Sequence, residues 1–459
     1  MVTIKVVILG VGHMGMPALL AITETKELLR KLDINVELAA IVDADENIKS
    51  GLEFFCRPID PKPAIVILDK NKPDPICDIL RKAGVKPDSD NVFIYDATPS
   101  HLHFINIHDA SLIGEVTYLC EKPVLTEFFQ LKVIEKLNFP IFCDFIETES
   151  LVAHTIQALI KQEGLTINSL KFWRLNSSAI SKIFKPKMRS GISGGALLDK
   201  ASHDIALTIS LLSTEHNSLP SYSIQQCFPI CFIPCVSLSS TRLFLTGSNK
   251  ALGGIRSGTA GSDYAEWTAD AGGFAKLTWK LANGRPVDTE YYFSWIGVEK
   301  YLAETDKLGL TNLKQLLGQY RTNTWLSAEN NKSDDNKTFL VEDARIVVIE
   351  GERAGKPCKL IANFLSRSTV RPWIWDCSNS QEIPLIDNDF GRNSLARVFM
   401  TAMSGKQCDF SIGKTSLVQT HGILLQLRDY FFESKYNPDE EWRKAERIID
   451  GLIVVPEYQ

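Results

Sequence analysis

The stretch that decides the fold is Val6-Val7-Ile8-Leu9-Gly10-Val11-Gly12-His13-Met14-Gly15, where an apolar run leads directly into the pattern G-x-G-x-x-G. Gly10 permits a tight turn from a strand into a helix, Gly12 lets the backbone approach a pyrophosphate, and Gly15 allows close packing of helix on strand. Free N–H groups and the helix dipole then hold the phosphate charge. A glycine turn without a ligand is the alternative, but a preceding strand and a following helix are the context that a dinucleotide site requires. The predicted cofactor-binding residues of this turn are Gly10, Gly12, His13, Met14 and Gly15.

Further apolar runs follow at intervals that leave room for helices. They cover residues 36–42, 92–96, 116–120 and 141–145, and a first helix is predicted from about Met14 to Lys31. Residues 64–68 are apolar enough for one more strand. Apolar strands that alternate with helices indicate a parallel sheet with both faces covered. Residues 1–147 are therefore predicted to form an α/β domain, a doubly wound Rossmann sheet that binds a dinucleotide.

Asp43 closes the second predicted strand, where an acid accepts hydrogen bonds from the adenosine ribose. The interval from Gly10 exceeds the usual ~20 residues, and the long first helix absorbs the excess. Asp45 and Glu46 follow, with no arginine nearby. Three acids would repel a 2′-phosphate, so the predicted cofactor is NAD, with NADP less favoured. For Asp45 and Glu46, a solvated acidic loop is the alternative interpretation.

The pattern changes to hairpins in the second half of the chain. Residues 274–280 and 289–295 alternate on either side of Asn283-Gly284, the strongest short signal for a β-hairpin. Residues 345–350 and 359–364 repeat the arrangement around Gly355. Residues 148–459 are therefore predicted to form an α+β domain with a large, mainly antiparallel sheet.

Two further motifs carry residue types suited to chemistry. One is Glu121-Lys122-Pro123, directly after an apolar run, and the other is Gly194-Gly195-Ala196-Leu197-Leu198-Asp199, followed by His203. Asp199 and His203 are four residues apart, so a helix would place both on one face. Histidine suits proton transfer because it titrates near neutral pH. The alternatives are a surface lysine at a strand end, and a helix N-terminal aspartate with a core histidine.

Together these motifs resemble those of the Gfo/Idh/MocA oxidoreductases, which include glucose–fructose oxidoreductase and inositol dehydrogenases. The resemblance rests on the glycine turn, Thr98-Pro99-Ser100 with His103, Glu121-Lys122-Pro123, and the Gly-Gly motif with Asp199 and His203. It implies that His203 exchanges the proton of the substrate hydroxyl, that Asp199 orients it, and that Lys122 reaches the reacting alcohol and the nicotinamide. The predicted catalytic residues are Lys122, Asp199 and His203.

The same resemblance implies further features of the site. The additional predicted cofactor-binding residues are Thr98, Pro99, Glu121 and Lys122. His103 is expected to be structural, and relatives often have a cis bond before the proline of the Glu-Lys-Pro motif. The resemblance also implies that residues 148–459 bind the substrate and that their exposed sheet makes the protein a homo-oligomer, either a dimer or a tetramer.

Composition and charge limit the classes of partner. The 459 residues carry a net charge of −5 with a pI near 6.0, which argues against a nucleic-acid or anionic-membrane surface. No apolar run approaches the ~20 residues that span a bilayer, and the N-terminus lacks the features of a signal peptide. The expected location is cytoplasmic. Cys227, Cys231 and Cys235 are evenly spaced, but no local histidine or acid completes a metal site, so no metal is predicted.

The sequence thus predicts an NAD(P)-dependent oxidoreductase that transfers a hydride between nicotinamide and a secondary alcohol or ketone of a sugar, cyclitol or related polyol. Two alternatives stay open: a non-catalytic protein that senses a dinucleotide, and a lyase or glycosidase that uses tightly bound NAD for transient oxidation. The substrate clues conflict. Asp144, Glu147 and Glu149 could pair with an amine, whereas basic residues at 182–189 could bind a carboxylate or phosphate; either set could be solvated loop charge.

Overall fold

The fold is described from a computed structural model of the chain. The residues described are 2–12, 14–69, 74–87, 89–113, 116–176, 195–233, 269–294, 309, 312–313, 315–316, 343–365, 371–386, 393–405 and 409–433. His13, the basic residues at 182–189, Gly194 and Cys235 lie outside them. The chain forms two compact units. The first comprises Met1–Thr155, Ile205–Ser213 and Ile386–Leu425, and the second comprises Ile156–Asp204, Thr214–Leu385 and Gln426–Gln459.

The first unit contains a six-stranded parallel sheet. Its strands are β1 (Val2–Leu9), β2 (Ile34–Asp43), β3 (Ala64–Ile67), β4 (Asn91–Asp96), β5 (Val116–Cys120) and β6 (Ile141–Cys143). Their order across the sheet is β3-β2-β1-β4-β5-β6, the order of a Rossmann sheet. The predicted parallel sheet is confirmed, and the apolar run at residues 64–68 contains a strand as expected.

Helices connect these strands and pack into the core around the sheet. They are α1 (Gly15–Arg30), α2 (Lys49–Phe55), α3 (Ile76–Lys82), α4 (Ser100–Ser111) and α5 (Phe128–Lys136). Helix α6 (Leu151–Glu163) follows the last strand and leads into the second unit. The last four residues of β1 are fully or almost fully buried, which explains why that strand reads as a continuous apolar run. Helix α1 matches its predicted extent to within one residue at each end.

The C-terminal part of the chain returns to the first unit. Helix α8 (Ser394–Met403) packs the ring of Phe399 against Tyr95 and Phe93 of β4, at centroid distances of 5.0 and 5.7 Å. The N–H of Cys143 donates to the carbonyl of Ile412 over 2.8 Å, which extends the sheet edge beyond β6. Residues 386–425 thus belong to the first unit, although they lie far beyond residue 148 in the sequence. Because buried aromatic packing joins this segment to the first sheet, a single boundary at residues 147/148 does not divide the two units. How function divides between residues 1–147 and 148–459 stays a prediction.

The second unit contains an eight-stranded sheet. Its strands are β7 (Thr166–Asn176), β8 (Ser221–Ile233), β9 (Ala269–Lys280), β10 (Pro286–Ser294), β11 (Asp343–Arg353), β12 (Lys356–Asn363), β13 (Trp373–Asp376) and β14 (Gln381–Ile383). Their order is β14-β13-β12-β11-β7-β10-β9-β8, and every neighbouring pair is antiparallel except β7 with β10. The predicted mainly antiparallel sheet is confirmed. Two further α-helices, α7 (Ser202–His216) and α9 (Lys414–Glu433), each contain residues of both units.

Both predicted hairpins are present in this sheet. Strands β9 and β10 pair across the Asn283-Gly284 turn, where Gly284 has φ +83°. Strands β11 and β12 pair across Ala354-Gly355, whose φ values of +51° and +73° fit a tight hairpin turn. Stacked aromatic pairs cross from β7 to β10, with Trp173 and Tyr292 at 5.3 Å. Local turn chemistry thus sets the hairpins, and cross-strand packing joins them.

Candidate cofactor and catalytic site

The glycine turn between β1 and α1 has three different requirements at its three glycines. Gly10 has φ +81°, and a Cβ there would lie 2.8 Å from the carbonyl oxygen of Ala97. A Cβ at Gly15 would lie 2.1 Å from the carbonyl oxygen of Gly10, so helix and strand approach too closely for any side chain. A Cβ at Gly12 would meet no atom within 4 Å. Gly10 and Gly15 therefore shape the backbone, whereas Gly12 leaves open space beside it.

Asp43 lies against this turn, at the carboxyl end of β2. Its Oδ2 accepts a hydrogen bond from the N–H of Val11 at 2.7 Å, and its Oδ1 accepts one from the N–H of Asp45 at 2.8 Å. Asp45 in turn accepts from the N–H of Asn47 at 3.1 Å and caps a short helix. Asp43 is thus held beside the turn, while Asp45 has a local structural role.

Asp96 organises the next turn, at the carboxyl end of β4. It is completely buried, and its Oδ1 accepts from the N–H and the hydroxyl of Thr98 at 2.9 and 2.6 Å. Its Oδ2 accepts from the amide of Asn106 at 3.0 Å and from the hydroxyl of Tyr118 at 2.7 Å. Four donors on one carboxylate fix the Thr98-Pro99 segment before α4 begins. Sequence reasoning missed Asp96, although a polar residue that ends a buried strand is a visible signal.

His103 joins the Thr98 turn to the Glu-Lys-Pro motif. Its Nε2 lies 2.8 Å from the carbonyl oxygen of Thr98, and its Nδ1 lies 2.8 Å from that of Pro123. Carbonyl oxygens only accept, so both hydrogen bonds form together only when both ring nitrogens carry a proton. The bond between Lys122 and Pro123 is cis. His103 therefore has the structural role expected of it, with the buried Asp96 carboxylate close to its ring.

Asp96, His103 and Cys120 place possible ligand atoms within 4.8 Å of one another. Burial, followed by the negative charge of Asp96, raises the pKa of the Cys120 thiol well above its usual value. A metal requires the thiolate. Both ring nitrogens of His103 already face carbonyl oxygens. We therefore interpret Asp96 and His103 as parts of a hydrogen-bond network and Cys120 as a buried thiol beside it.

A buried acidic pair lies beside Lys122. The hydroxyl of Tyr95 is 2.9 Å from Oε1 of Glu121 and 3.2 Å from Oδ2 of Asp144, and both acids are more than 90% buried. Burial, followed by the proximity of Glu121, raises the pKa of Asp144 well above its usual value. Two neighbouring carboxylates in a dry environment repel each other when both are charged, so the folded state favours the protonated form of Asp144.

The other acids near Asp144 are also buried, so the solvated-loop interpretation is wrong for this group. Glu149 accepts from the hydroxyl of Thr401 at 3.1 Å and lies 3.3 Å from Nε2 of His154. Burial raises its pKa, but the hydrogen bond and charge of His154 outweigh burial and leave the pKa lowered. Glu149 therefore has a structural role within the first unit.

The Gly-Gly motif of the second unit leads into a π-helical segment, Leu197–Ala201, directly before α7. The sequence predicted an ordinary helix here. In the π-helical turn, the spacing between Asp199 and His203 is not that of a regular α-helix. Such turns are rare and are frequent at functional sites. Gly195, with φ +96°, accepts from the N–H of Asp199 at 3.1 Å.

A buried ion pair anchors the start of α7 next to His203. Asp204 Oδ1 accepts from Nε and Nη2 of Arg174 on β7, at 2.9 and 2.7 Å, and both side chains are about 95% buried. Nζ of Lys200 lies 3.3 Å from Oδ2 of Asp199. His203 itself is 8% exposed. Asp199 and His203 thus belong to the second unit and Lys122 to the first, and each group is held by its own unit.

The raised pKa of Asp144 has a measurable consequence for stability. The unfolded state releases the proton of this carboxyl near pH 4, whereas the folded state holds it to a higher pH because the pKa is raised. The contribution of Asp144 to stability is therefore complete below about pH 4 and is lost as the pH rises toward the folded pKa. We expect Asp144→Asn to gain stability relative to the wild type as the pH is raised from about 4 to 8, measured by urea unfolding. Glu53→Gln, which removes an exposed carboxylate, is the control, and a pH-independent difference for Asp144→Asn would contradict the assignment.

No protein-family model matches this sequence, and no curated protein matches it significantly. Solved structures match its fold along nearly the whole chain. An oxidoreductase domain protein from Kribbella flavida gives a TM-score of 0.57 at 12% identity, covering 94% of this chain and 98% of its own. The apo form of levoglucosan dehydrogenase gives 0.55 at 15% identity and covers 100% of both chains. Aldose-aldose oxidoreductase from Caulobacter crescentus, complexed with glycerol, gives 0.54 at 10% identity, covering 99% and 100%.

In the described part of the chain, the helices are too short or too polar to cross a bilayer. At the identities given, the structural matches establish the fold and nothing finer. These neighbours are oxidoreductases and dehydrogenases by name, and this chain has their fold, a Rossmann sheet in one unit and a large, mainly antiparallel sheet in the other.

Proposed function

We propose that the protein is an NAD-dependent oxidoreductase that transfers a hydride between nicotinamide and a secondary alcohol or ketone of a sugar, cyclitol or related polyol. The observation that carries the proposal is the glycine turn, where two glycines are required by backbone contact and the third leaves the space for a ligand. Structural neighbours include levoglucosan dehydrogenase in complex with NADH and levoglucosan, and with NADH and L-sorbose. These neighbours support an oxidoreductase that acts on a sugar-like compound.

The residues around the turn fit a dinucleotide without a 2′-phosphate. The N–H groups at the start of α1 would hold the pyrophosphate beside Gly12. Asp43 uses one lone pair of each oxygen for the backbone, so its oxygens can still accept from ribose hydroxyls. Asp45 and Glu46 place further negative charge where a 2′-phosphate would lie. This arrangement favours NAD over NADP. The bound nicotinamide would supply hydride chemistry, which no side chain can supply.

Three side chains have different catalytic roles in this proposal. His203 takes the proton of the substrate hydroxyl as the alcohol is oxidised and returns it when the ketone is reduced. Asp199 orients His203 and the substrate. The ammonium of Lys122 stabilises the negative charge that develops on the substrate oxygen. The buried Arg174–Asp204 pair supports this assignment because it fixes the helix that carries His203.

We also propose the domain roles, the oligomeric state and the location that the sequence suggests. Residues 1–147 bind the dinucleotide, and residues 148–459 carry the substrate contacts and the subunit interface of a homo-oligomer. The net charge of −5 is consistent with a cytoplasmic enzyme that has no nucleic-acid partner and no membrane surface.

A pair of glycine variants separates cofactor binding from folding. An added methyl group at Gly12 meets no protein atom, so Gly12→Ala should fold normally and lose NADH affinity by at least about tenfold. At Gly15 the methyl group would collide with backbone, so Gly15→Ala should lower the thermal unfolding midpoint instead. NADH affinity is measured by titration and the unfolding midpoint by thermal unfolding, for both variants. Wild-type NADH affinity in Gly12→Ala would remove the turn from the cofactor site.

Turnover tests the catalytic assignment. Purified protein is incubated with NAD and a panel of sugars and cyclitols, and nicotinamide absorbance is followed. His203→Asn and Lys122→Met should each reduce kcat by at least about 10²-fold while NADH affinity stays near that of the wild type. Lys132→Met, on an exposed face of α5, is the matched control.

Two results would count against this assignment. Unchanged turnover in His203→Asn would remove that residue from the mechanism. NADH binding without turnover on any substrate would favour the dinucleotide-sensing alternative.

A further inference from the structure

Two histidines hold the peptide group between Pro123 and Val124, one at each end. The carbonyl of Pro123 lies 2.8 Å from Nδ1 of His103. The N–H of Val124 donates to Nε2 of His421, on α9, over 2.9 Å. Pro123, Val124 and both histidines belong to the first unit. Only Pro123 separates this peptide from Lys122, so its orientation limits where the backbone of that lysine can lie.

The geometry determines the protonation of His421. Its Nε2 accepts from Val124, so Nε2 carries no proton. Its Nδ1 lies 2.8 Å from the carbonyl oxygen of Leu417, an acceptor, and must therefore donate. The ring is completely buried, and burial, with a smaller effect from the nearby charge of His103, lowers its pKa to about 4. His421 is thus neutral near pH 7, with its proton on Nδ1.

The hydrogen bond between Val124 and His421 lies in a segment that has no regular secondary structure. Strand β5 ends at Cys120 and helix α5 begins at Phe128, so the segment between them has no regular ladder. Val124 is completely buried within it, and its N–H would otherwise be unpaired. An unpaired buried N–H is costly, and an apolar residue at position 421 would leave it so. The imidazole of His421 thus accepts the hydrogen bond from Val124 that a backbone carbonyl would accept in a strand or helix.

We infer that His421 is a positioning residue for Lys122: it fixes the turn after the lysine and thereby the reach of the ammonium group. The inference rests on the catalytic role proposed above for Lys122. Displacement of a reacting group by about 1 Å can reduce turnover by ~10²-fold. A residue outside the motif, near the end of the described chain, thus controls the geometry of the motif.

A glutamine/asparagine pair at position 421 tests the inference. In His421→Gln the side-chain oxygen reaches the place of Nε2 and can accept from Val124. In His421→Asn the side chain is too short to do so. We expect amide hydrogen exchange of the peptide that contains Val124 to be about tenfold faster in His421→Asn and near the wild-type rate in His421→Gln. This readout needs no substrate.

Turnover is then measured on the same variants. His421→Asn should lower kcat by about 10- to 10²-fold with NADH affinity little changed, and His421→Gln should recover most of the loss. His154→Asn and His154→Gln, at a histidine of the same unit that contacts Glu149, are the matched controls and should retain wild-type kcat. Unchanged kcat in His421→Asn, despite faster exchange at Val124, would overturn the positioning role.

Two further results separate this inference from the proposed function. If Lys122→Met turns over like the wild type, the role of Lys122 fails and the positioning role fails with it, whatever the exchange shows. If Lys122→Met is inactive and His421→Asn is active, only the positioning role fails. If His421→Asn does not fold, the ¹⁵N chemical shifts of the histidines in the wild-type protein test the inference instead. His421 must then show a protonated Nδ1 and an unprotonated Nε2, and the opposite tautomer would overturn the inference.

Discussion

The constraint on which the rest of the structure depends is the close approach of helix α1 to the turn that ends strand β1. A Cβ at Gly15 would lie 2.1 Å from the carbonyl oxygen of Gly10, so this approach exists only with glycine at that position. The same contact directs the N-terminus of α1 toward the space beside Gly12. A helix N-terminus with free N–H groups and open space is suited to a phosphate anion. The proposed cofactor site follows from this backbone arrangement.

The neighbouring turns are fixed by buried polar groups. Asp96 accepts four hydrogen bonds at the end of β4, and His103 joins that turn to the one after β5. His421 then holds the N–H of Val124 from the far side. Loops usually carry functional residues on a rigid scaffold. In this protein the segment with Lys122 is irregular, and side-chain hydrogen bonds give it the definition that a strand or helix would otherwise provide.

Local patterns were sufficient to predict much of the fold. The Rossmann sheet, the limits of α1 and the hairpin at Asn283-Gly284 follow from apolar runs, glycine positions and turn residues. The parallel pairing of β7 with β10 does not follow from such patterns. The register between distant strands depends on tertiary packing, which no local pattern records. For the same reason the contact of Phe399 with the first sheet was not foreseen.

The residues of the candidate site likewise divide into those that sequence motifs identify and those that only the structure shows. The motifs identified Asp43 beside the turn and His103 as a structural residue, and the contacts of both fit those expectations. The burial of Asp144, the π-helical turn at Asp199 and the contact of His421 depend on three-dimensional surroundings. A lone histidine in a helix of mixed polar and apolar residues carries no sequence signal, so His421 could be found only from the structure.

The central claim is that the first unit holds a dinucleotide across its glycine turn. A crystal structure of the protein grown with NADH tests this most directly. We expect pyrophosphate density beside the N–H groups at Gly12, with a ribose hydroxyl within about 3 Å of the Asp43 carboxylate. A dinucleotide bound elsewhere, or a ribose that makes no contact with Asp43, would contradict it.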